Sequence, residues 1–413
     1  MAIIKIDKNI KLEDVESCYA ELHGYINNQL SVDLSLPKIL EHTYFGLIPS
    51  LYQFAVTWVR YSNSGKLLLD IDNINETDLD KLYENELLFP LISLVWNKNE
   101  VYNKSGAINL RTFLKKYNQI VFEKMKGVRQ VNLFDESINP SALKGSNLLL
   151  TVFDHLPEQH GILPCFEVNG EFVRNESIFG NNLLPGISQV LQYSKELISN
   201  FNLASKDIIG ITYELMKNTY EWAKDDENRV PIDPSLRGLI IRYYKKRRAS
   251  LLEDFVKHKG LTDYFQSNFL KENSQNELYF LEISVFDSGI GFIDKFKSLN
   301  PTETLSDIDI LKKCLIVHNT SAKGLYKDDK GIGLDRILTI LNNKGFLRIK
   351  TGNLCVYRNL ITHNHKELDK EDVNSMELFD WNKNSNTDYT SFKNAKGAVV
   401  TIIYPLSINT ANE

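Results

Sequence analysis

The stretch Tyr279-Phe-Leu-Glu-Ile-Ser-Val-Phe-Asp-Ser-Gly-Ile-Gly291 contains the most informative pattern in the chain. Its first part, Tyr279–Phe286, is mostly apolar and rich in β-branched and aromatic side chains, which predicts a strand. Asp287 stands at the end of that strand, and Gly289 and Gly291 follow it. Because glycine has no Cβ, the backbone there can turn tightly and approach a ligand closely. We therefore expect a strand that ends in a ligand-binding turn.

Two further motifs flank this turn in the sequence. Upstream, Glu214-Leu-Met-Lys-Asn218 lies in a helical pattern, which places its two end side chains on one helix face, a turn apart. Downstream, Gly331-Ile-Gly333-Leu334 opens the helical run Leu334–Leu341 behind a loop rich in Lys, Gly and Asp. Helix N-termini favour phosphate, because their amides are unpaired and the helix dipole is positive there. Each motif alone is weak, but their order and their placement on a helix, at a strand end and at a helix start make the set a strong signal.

In these three motifs the chain resembles the GHKL superfamily, which includes the ATPase domains of gyrase B subunits, large heat-shock chaperones, histidine kinases and MutL mismatch-repair proteins. Gly397-Ala398, the strand-like run Val399–Tyr404 and Pro405 are similar to the last strand of that domain. The resemblance implies the Bergerat nucleotide fold, a mixed sheet covered by helices on one face. Ala398 departs from the pattern, because the family usually has a threonine there that helps to hold the adenine.

The resemblance also implies roles for the motif residues, with ATP and Mg²⁺ as cofactors. Glu214 would orient or deprotonate the attacking water or hydroxyl, and Asn218 would bind Mg²⁺ between the phosphates. Asp287 would accept a hydrogen bond from the adenine amino group. The remaining implied nucleotide contacts are Gly289 and Gly291 at the base, and Gly331, Gly333 and Leu334 at the phosphates.

The loop His318–Lys330 corresponds to the segment that forms a lid over the phosphates in this family. Within it, Lys323 is the candidate phosphate contact, because a lysine can reach the nucleotide when a lid closes. An ordinary flexible loop lysine is the alternative explanation. The other candidates in this loop are Thr320, Ser321, Lys327 and Lys330.

Length and composition limit the class of protein. The chain has 413 residues, enough for about two domains, and its 43% hydrophobic and 24% charged residues are typical of a soluble globular protein. The net charge of −5 argues against a general nucleic-acid binder. No signal peptide is evident, and the longest apolar runs fall short of the roughly 20 residues that span a bilayer. We expect a cytoplasmic protein without a membrane anchor.

The sequence predicts an α+β protein in two parts. Residues 181–413 would form the Bergerat-type α/β sandwich, and residues 1–180 a separate N-terminal α/β domain for sensing or partner binding. Pro185-Gly186 is expected to start the second part, and Ser205 to cap the helix that carries the first motif. The polar stretch Thr362–Asn394 is expected to be an exposed excursion.

Local patterns also predict structure elsewhere, and several reactive side chains have ordinary explanations. Asn169-Gly170 between short alternating segments predicts a type I′ hairpin. Lys245-Lys-Arg-Arg248 could touch nucleic acid or an acidic partner, but a basic run at a strand end more often protects a sheet edge. The four cysteines lack metal spacing and are expected to be reduced structural thiols. No histidine matches the phosphoacceptor box of sensor kinases, although His155 stays a candidate.

The motifs favour a Mg·ATP-dependent GHKL ATPase that acts as a conformational switch, coupled to a protein partner or to homodimerisation. Two alternatives stay open. One is a serine/threonine protein kinase, because the anti-sigma-factor kinases share the Glu-x-x-x-Asn and Asp-x-Gly-x-Gly patterns. The other is a non-catalytic module in which ATP only stabilises a complex. Glu214 suits hydrolysis and phosphotransfer equally, since a carboxylate can align a water or accept a hydroxyl proton.

Overall fold

The computed structural model describes residues 2–62, 64–71, 74, 86–126, 147–191, 198–316, 333–368 and 372–407. The α-helices in these ranges are α1 Val15–Asn27, α2 Leu47–Tyr61, α3 Leu88–Val95, α4 Arg111–Lys126, α5 Glu158–Gly161, α6 Glu176–Leu191, α7 Ile198–Trp222, α8 Arg248–Asp254, α9 Lys259–Gln266, α10 Gly291–Leu299, α11 Asp307–Cys314 and α12 Gly333–Leu341. The strands are β1 Ala2–Lys5, β2 Val32–Leu36, β3 Leu67–Leu69, β4 Val101–Asn103, β5 Asn147–Val152, β6 Glu167–Val168, β7 Glu171–Phe172, β8 Arg237–Arg247, β9 Glu277–Asp287, β10 Phe346–Gly352, β11 Leu354–Asn359, β12 Phe379–Asp380 and β13 Ala395–Pro405. The chain is thus α+β, as the sequence predicts.

The larger sheet has seven strands in the order β12-β11-β10-β13-β9-β8-β5. β9, the strand of the Asp-x-Gly-x-Gly motif, is an interior strand of this sheet and pairs with β8 and β13 along most of its length. In this register Asp287 lies opposite Ala398 on one side and Arg237 on the other. The end of β9 is therefore held in the middle of the sheet.

This sheet differs in two respects from the mixed sheet with helices on one face that we expected. Within this sheet, every neighbouring strand pair in the described residues is antiparallel. Helices also cover both faces: α6, α7 and α10 pack on one face, and α2 packs on β9 and β13 from the other. The reason is that α2 is buried continuously from Leu47 to Val59, and a helix that is buried all round needs a partner on each side.

A second, smaller sheet lies on the far side of α2. Its four strands are parallel and follow the order β1-β2-β3-β4. The indole Nε1 of Trp58 in α2 donates to the carbonyl of Val32 in β2 over 2.7 Å. On its other side α2 contacts the large sheet, where Gln53 Nε2 donates to the carbonyls of Lys350 and Gly397, each over 3.2 Å. One helix thus serves as a shared layer between the two sheets.

The elements near residue 180 cross the boundary that we placed there. β5, which precedes residue 180, pairs with Arg237–Arg242 of β8 and forms one edge of the large sheet. Pro185 lies inside α6 instead of starting a new region, and Ser205 lies inside α7 instead of capping it. Local sequence signals failed here because Leu183 and Ile187 are completely buried, and tertiary packing carries the helix through the proline.

The stretch Thr362–Asn394 is not the exposed excursion that we expected. It contributes β12, which pairs with β11, and it buries Met376, Trp381 and Phe392. Trp381 stacks on Phe45 in an aromatic cluster under the large sheet. These buried side chains are isolated in a polar stretch that has no hydrophobic periodicity, so no sequence pattern predicts their burial. The predicted hairpin is confirmed: Asn169 and Gly170 have φ values of +54° and +76°, as a type I′ turn requires.

Candidate functional site

A cleft opens between α7 and the end of β9, with α10 and α12 at its sides. Its empty space, counted together with the open solvent at its mouth, is about 1140 Å³. All three sequence motifs contribute to its walls. The motif residues that line it are Glu214, Asn218, Asp287, Gly291, Gly333 and Leu334, with Ala398 beside them. The structure therefore brings together side chains that the sequence separates widely.

The rest of the lining combines an apolar floor with charged side chains. Val285 and Val400 lie on neighbouring strands and form part of the floor. Phe292 and Phe296 of α10 add aromatic surface, and Trp222 contributes from the end of α7. Besides Glu214 and Asp287, the charged side chains in the lining are Lys217, Glu221 and Lys295. An apolar and aromatic lining with a small number of polar groups is typical of small-molecule sites.

Asp287 lies at the end of β9 in the cleft, where its side chain is partly exposed. The backbone N–H of Gly289 donates to its Oδ1 over 2.8 Å. Burial raises the pKa of this carboxyl to about 6, and the backbone donors of Gly289 and Ala398 and the charge of Arg237 oppose that rise. Asp287 is therefore mainly ionised at neutral pH and can accept a hydrogen bond from a ligand in the cleft.

Two glycines around Asp287 are required by the backbone geometry. Gly397 has a φ of +78°, and a Cβ there would lie 1.9 Å from the carbonyl oxygen of Asp287. Gly291 has a φ of +82°, and its Cβ would lie 2.6 Å from Oγ1 of Thr351. Gly289 is absent from the described cleft lining and contributes through its amide behind the carboxyl. The close approach of β13 to the turn thus depends on residues without side chains.

Glu214 and Asn218 lie one turn apart on α7 and both face the cleft, as their spacing predicts. Glu214 is only 8% exposed, and its Oε1 accepts from Nη1 of Arg336 over 2.8 Å. A Cβ on Gly333 would lie 2.7 Å from the other carboxylate oxygen, Oε2. The first turn of α12 therefore lies directly against this carboxylate.

Arg336 is a residue of the site that sequence reasoning missed. It lies in α12 and donates to Glu214 and, through both terminal nitrogens, to Glu176 at the start of α6, over 2.8 and 2.7 Å. Its hydrogen bonds to the carboxylates of Glu176 and Glu214 raise the pKa of Arg336 against the effect of burial. Its position three residues after Gly333 places it on the first turn of the helix, but its partners are distant in sequence and nothing local reveals them.

Part of the predicted site cannot be placed. Lys323, Gly331 and the whole loop 318–330 lie outside the described residues. Of the third motif, the structure describes Gly333 and Leu334, and both line the cleft. Among the described residues, no group of three or more His, Cys, Asp and Glu side chains could hold a metal ion. A Mg²⁺ ion bound through one side-chain oxygen, phosphate and water needs no such group, and the amide oxygen of Asn218 fits that donor chemistry.

Two other candidates from the sequence have protein partners away from this cleft. In the basic run, Lys245 pairs with Glu277 over 3.2 Å, and Arg248 pairs with Glu272 over 3.0 Å. His155 Nδ1 lies 3.2 Å from Oγ of Ser235, and burial lowers its pKa. These contacts support the structural explanations of the run and of the histidine. In the described part of the chain no cysteine forms a disulfide, and no helix is long and apolar enough to span a bilayer.

The fold and the cleft define an α+β protein with a ligand-sized site between an antiparallel sheet and a helical layer. Compared with known proteins, the chain matches no family model, no curated protein and no solved structure.

Proposed function

We propose that the protein binds Mg·ATP in this cleft and hydrolyses it, as a nucleotide-driven switch of the GHKL type. One observation carries the proposal: the three motifs, predicted from their order in the sequence to share one nucleotide, line one cleft. A chance resemblance of three weak motifs gives no reason for them to meet. The corresponding fold would be a variant of the Bergerat sandwich whose second sheet face is covered by α2.

The base would lie at the end of β9. Asp287, ionised at neutral pH, would accept a hydrogen bond from the adenine amino group, and Val285 and Val400 would contact the ring. Guanine has a carbonyl oxygen where adenine has its amino group, so the carboxylate of Asp287 would face another acceptor and have no donor from the base. An unpaired group of this kind costs about 2–4 kcal/mol, so we expect ATP to bind at least about 30-fold more tightly than GTP. Ala398 removes the hydroxyl that the family uses there, which would weaken this selectivity.

The phosphates would lie towards α7 and the start of α12. The amide of Gly333 is at the N-terminus of a nine-residue helix, where phosphate is favoured. When bound, Mg²⁺ would neutralise phosphate charge, with Asn218 as its side-chain ligand. Glu214 would accept the proton of the attacking water while the water oxygen bonds to the γ-phosphorus and the bond to the bridging oxygen breaks, leaving ADP and phosphate.

Incubation with ATP labelled at the γ-phosphate tests this proposal. We expect free labelled phosphate from the wild-type protein, together with Mg-dependent ATP binding. Asn218→Ala should abolish the Mg-dependent part of binding, whereas Glu214→Gln should keep ATP binding and lose turnover about 100-fold or more. Equal turnover of Glu214→Gln and wild type would remove Glu214 from the chemistry.

The same experiment separates the two alternatives. Label transferred to a protein partner would identify a kinase, which the carboxylate of Glu214 serves equally well by accepting a hydroxyl proton. ATP binding without release or transfer of label would identify a binding module. The switch is expected to act on a protein partner or on a second copy of the chain, with the four-stranded sheet region as the proposed contact. Co-purification from the native host would identify that partner.

A further inference from the structure

We propose that Arg336 is a positioning residue, which holds Glu214 so that one carboxylate oxygen is reserved for the reaction. The inference rests on the proposed function, because it assigns a role within the same site. Neither the motifs nor the resemblance gives a role to this arginine. Three contacts of Arg336 support this role: those to Glu214, to Glu176 and to the surface of α7 at Gly210.

The first contact divides the two oxygens of Glu214. Oε1 accepts from Nη1 of Arg336 over 2.8 Å and is thereby occupied. Oε2 lies beside the start of α12, where a Cβ on Gly333 would be only 2.7 Å away. In the proposed reaction Oε2 would therefore be the oxygen that aligns the water near the phosphate-binding amides. A carboxylate held at one oxygen loses rotational freedom, and this keeps the other in a reactive orientation.

The second contact fixes the arginine itself. Nη1 and Nη2 of Arg336 donate to the two carboxylate oxygens of Glu176, over 2.8 and 2.7 Å. Such a two-point contact restrains the guanidinium plane far better than one hydrogen bond. The side chains of Arg336 and Glu176 are each 32% exposed, whereas the side chain of Glu214 is 11% exposed. The outer carboxylate thus holds the arginine from the solvent side, and the arginine holds the inner carboxylate.

The third contact explains how the arginine reaches α7. Gly210 lies one turn before Glu214 on the same helix. A Cβ at Gly210 would come within 3.2 Å of Nη2 of Arg336. The missing side chain leaves room for the guanidinium along the helix surface. The geometry therefore joins three helices, α6, α7 and α12, at the carboxylate that the proposed reaction requires.

A second ion pair supplies a matched control. Lys344, which follows α12, donates to Asp207 of α7 over 2.6 Å. It joins the same two parts of the chain as Arg336 does, but neither partner lines the cleft. If Arg336 only attaches α12 to α7, removing either pair should have a similar effect. If Arg336 positions Glu214, only its own removal should affect turnover.

The test measures kcat and ATP affinity for four variants that have the wild-type circular dichroism spectrum. We expect Arg336→Gln to lower kcat about 100-fold, because a small misplacement of a catalytic group has effects of that order, and to change the Kd for a non-hydrolysable ATP analogue less than about 3-fold. Arg336→Lys should recover about 10-fold of that loss, since an ammonium can hold one oxygen but not form a fork. Lys344→Met should keep kcat within about 2-fold of wild type.

Glu176→Gln keeps the inference testable if Arg336→Gln does not fold. It removes the outer charge and leaves the Arg336–Glu214 contact, so we expect kcat to fall about 5-fold with ATP affinity unchanged. With an active wild type, unchanged kcat in Glu176→Gln, or equal kcat in Arg336→Gln and Lys344→Met, would overturn the positioning role and leave the proposed function intact. A wild-type protein that neither binds nor consumes ATP would overturn both.

Discussion

Two acidic residues of β9 face opposite sides of the large sheet and have opposite surroundings. Glu282 points towards α2 and is completely buried. Its carboxylate accepts from the amide of Gly46 over 2.9 Å, from the hydroxyl of Tyr244 over 3.0 Å and from that of Ser284 over 3.2 Å. Asp287 is five residues further on, at the cleft, and has backbone donors behind it and open space in front.

Burial raises the pKa of both carboxyls, so a perturbed pKa does not by itself separate a structural group from a binding group. The hydrogen-bond partners separate them. The protein supplies three side-chain and backbone donors to Glu282, which leaves nothing for a ligand to add. Asp287 combines partial exposure with a place in the cleft wall, so a ligand can complete its hydrogen bonds.

The largest expected effect comes from substituting each of these two residues and comparing the changes in stability and in ATP affinity. Glu282→Ala would leave the amide of Gly46 without its buried acceptor and would remove one of the two acceptors of each hydroxyl, those of Tyr244 and Ser284. We expect it to lower the free energy of unfolding by about 3–5 kcal/mol. ATP affinity of the folded protein should change little. Asp287→Asn should not lower stability at pH 7, but should weaken ATP binding more than about 10-fold. Urea unfolding and calorimetric titration measure the two quantities, and similar profiles for both variants would contradict the comparison.

The glycine beside Asp287 offers the next test. Gly397→Ala should cost about 3 kcal/mol or more, because a positive φ is combined with a Cβ that would overlap the carbonyl of Asp287. Gly170→Ala is the matched control: its φ of +76° is nearly the same, but no atom lies within 4 Å of the added Cβ. It should cost only about 1 kcal/mol. Equal losses in thermal or urea unfolding would mean that backbone strain alone, rather than the close approach of β13, makes Gly397 necessary.

The pKa of Asp287 predicts a pH effect of intermediate size. It is raised from 3.8 to about 6, so the folded state binds the proton more tightly than the unfolded state. Its contribution to the free energy of unfolding should therefore fall as the pH rises from 3.8 to 6, by about 2 kcal/mol after allowance for partial exposure. Asp287→Asn removes this dependence and should be more stable than wild type at pH 7, with a smaller difference at pH 4. Parallel stability curves from pH 4 to 7 would contradict it.

The ligand side of the same titration has its own readout. Adenosine has no phosphate to titrate, so its affinity should report the charge of Asp287 without interference. We expect adenosine binding to weaken as the pH falls from 7 to 5, because the protonated carboxyl can no longer serve the adenine amino group as a charged acceptor. Affinity that is constant over this range would argue against contact between the base and Asp287.

The smallest expected effect tests whether a change on the α2 face of the large sheet alters ATP binding on the cleft face. Gln53 of α2 is buried and donates to the carbonyl of Gly397, the residue whose backbone lies against Asp287. Gln53→Leu removes that hydrogen bond and the one to the carbonyl of Lys350, with little change in volume, and should cost about 1–2 kcal/mol of stability. ATP affinity should fall about 2- to 3-fold if α2 helps to hold the floor of the cleft. Unchanged affinity at the lower stability would mean that the α2 face does not influence binding.

What the sequence predicted correctly depends on local chemistry. The strand that ends at Asp287, the helix that begins at Gly333 and the hairpin at Asn169-Gly170 are confirmed, because alternation and glycine conformation act over a few residues. The same holds for the spacing that places Glu214 and Asn218 on one helix face.

What the sequence missed depends on pairing between distant segments. β5 has the composition of a buried strand, but nothing in it identifies β8 as its partner. The sequence of α2 likewise does not identify the second sheet that this helix covers. Arg336 reaches Glu214 across 122 positions of sequence, and such a contact exists only after the helices have packed. The start of the second part that we predicted at Pro185 was wrong, because a proline indicates only a local preference against helix and Pro185 lies inside α6.

The position of β5 has a consequence for how the part of the chain that contains the cleft could be moved between proteins. A gene fragment that starts at residue 181 would include all three motifs but would omit this strand. The backbone amides and carbonyls of residues 237–242 in β8 would then lack their hydrogen-bond partners in β5 at the sheet edge, next to apolar side chains that β5 normally covers. Exposed edges of this kind recruit strands from other molecules. The smallest portable unit therefore has to begin before Asn147, so recombination in nature or in the laboratory would have to transfer part of the N-terminal half with the cleft.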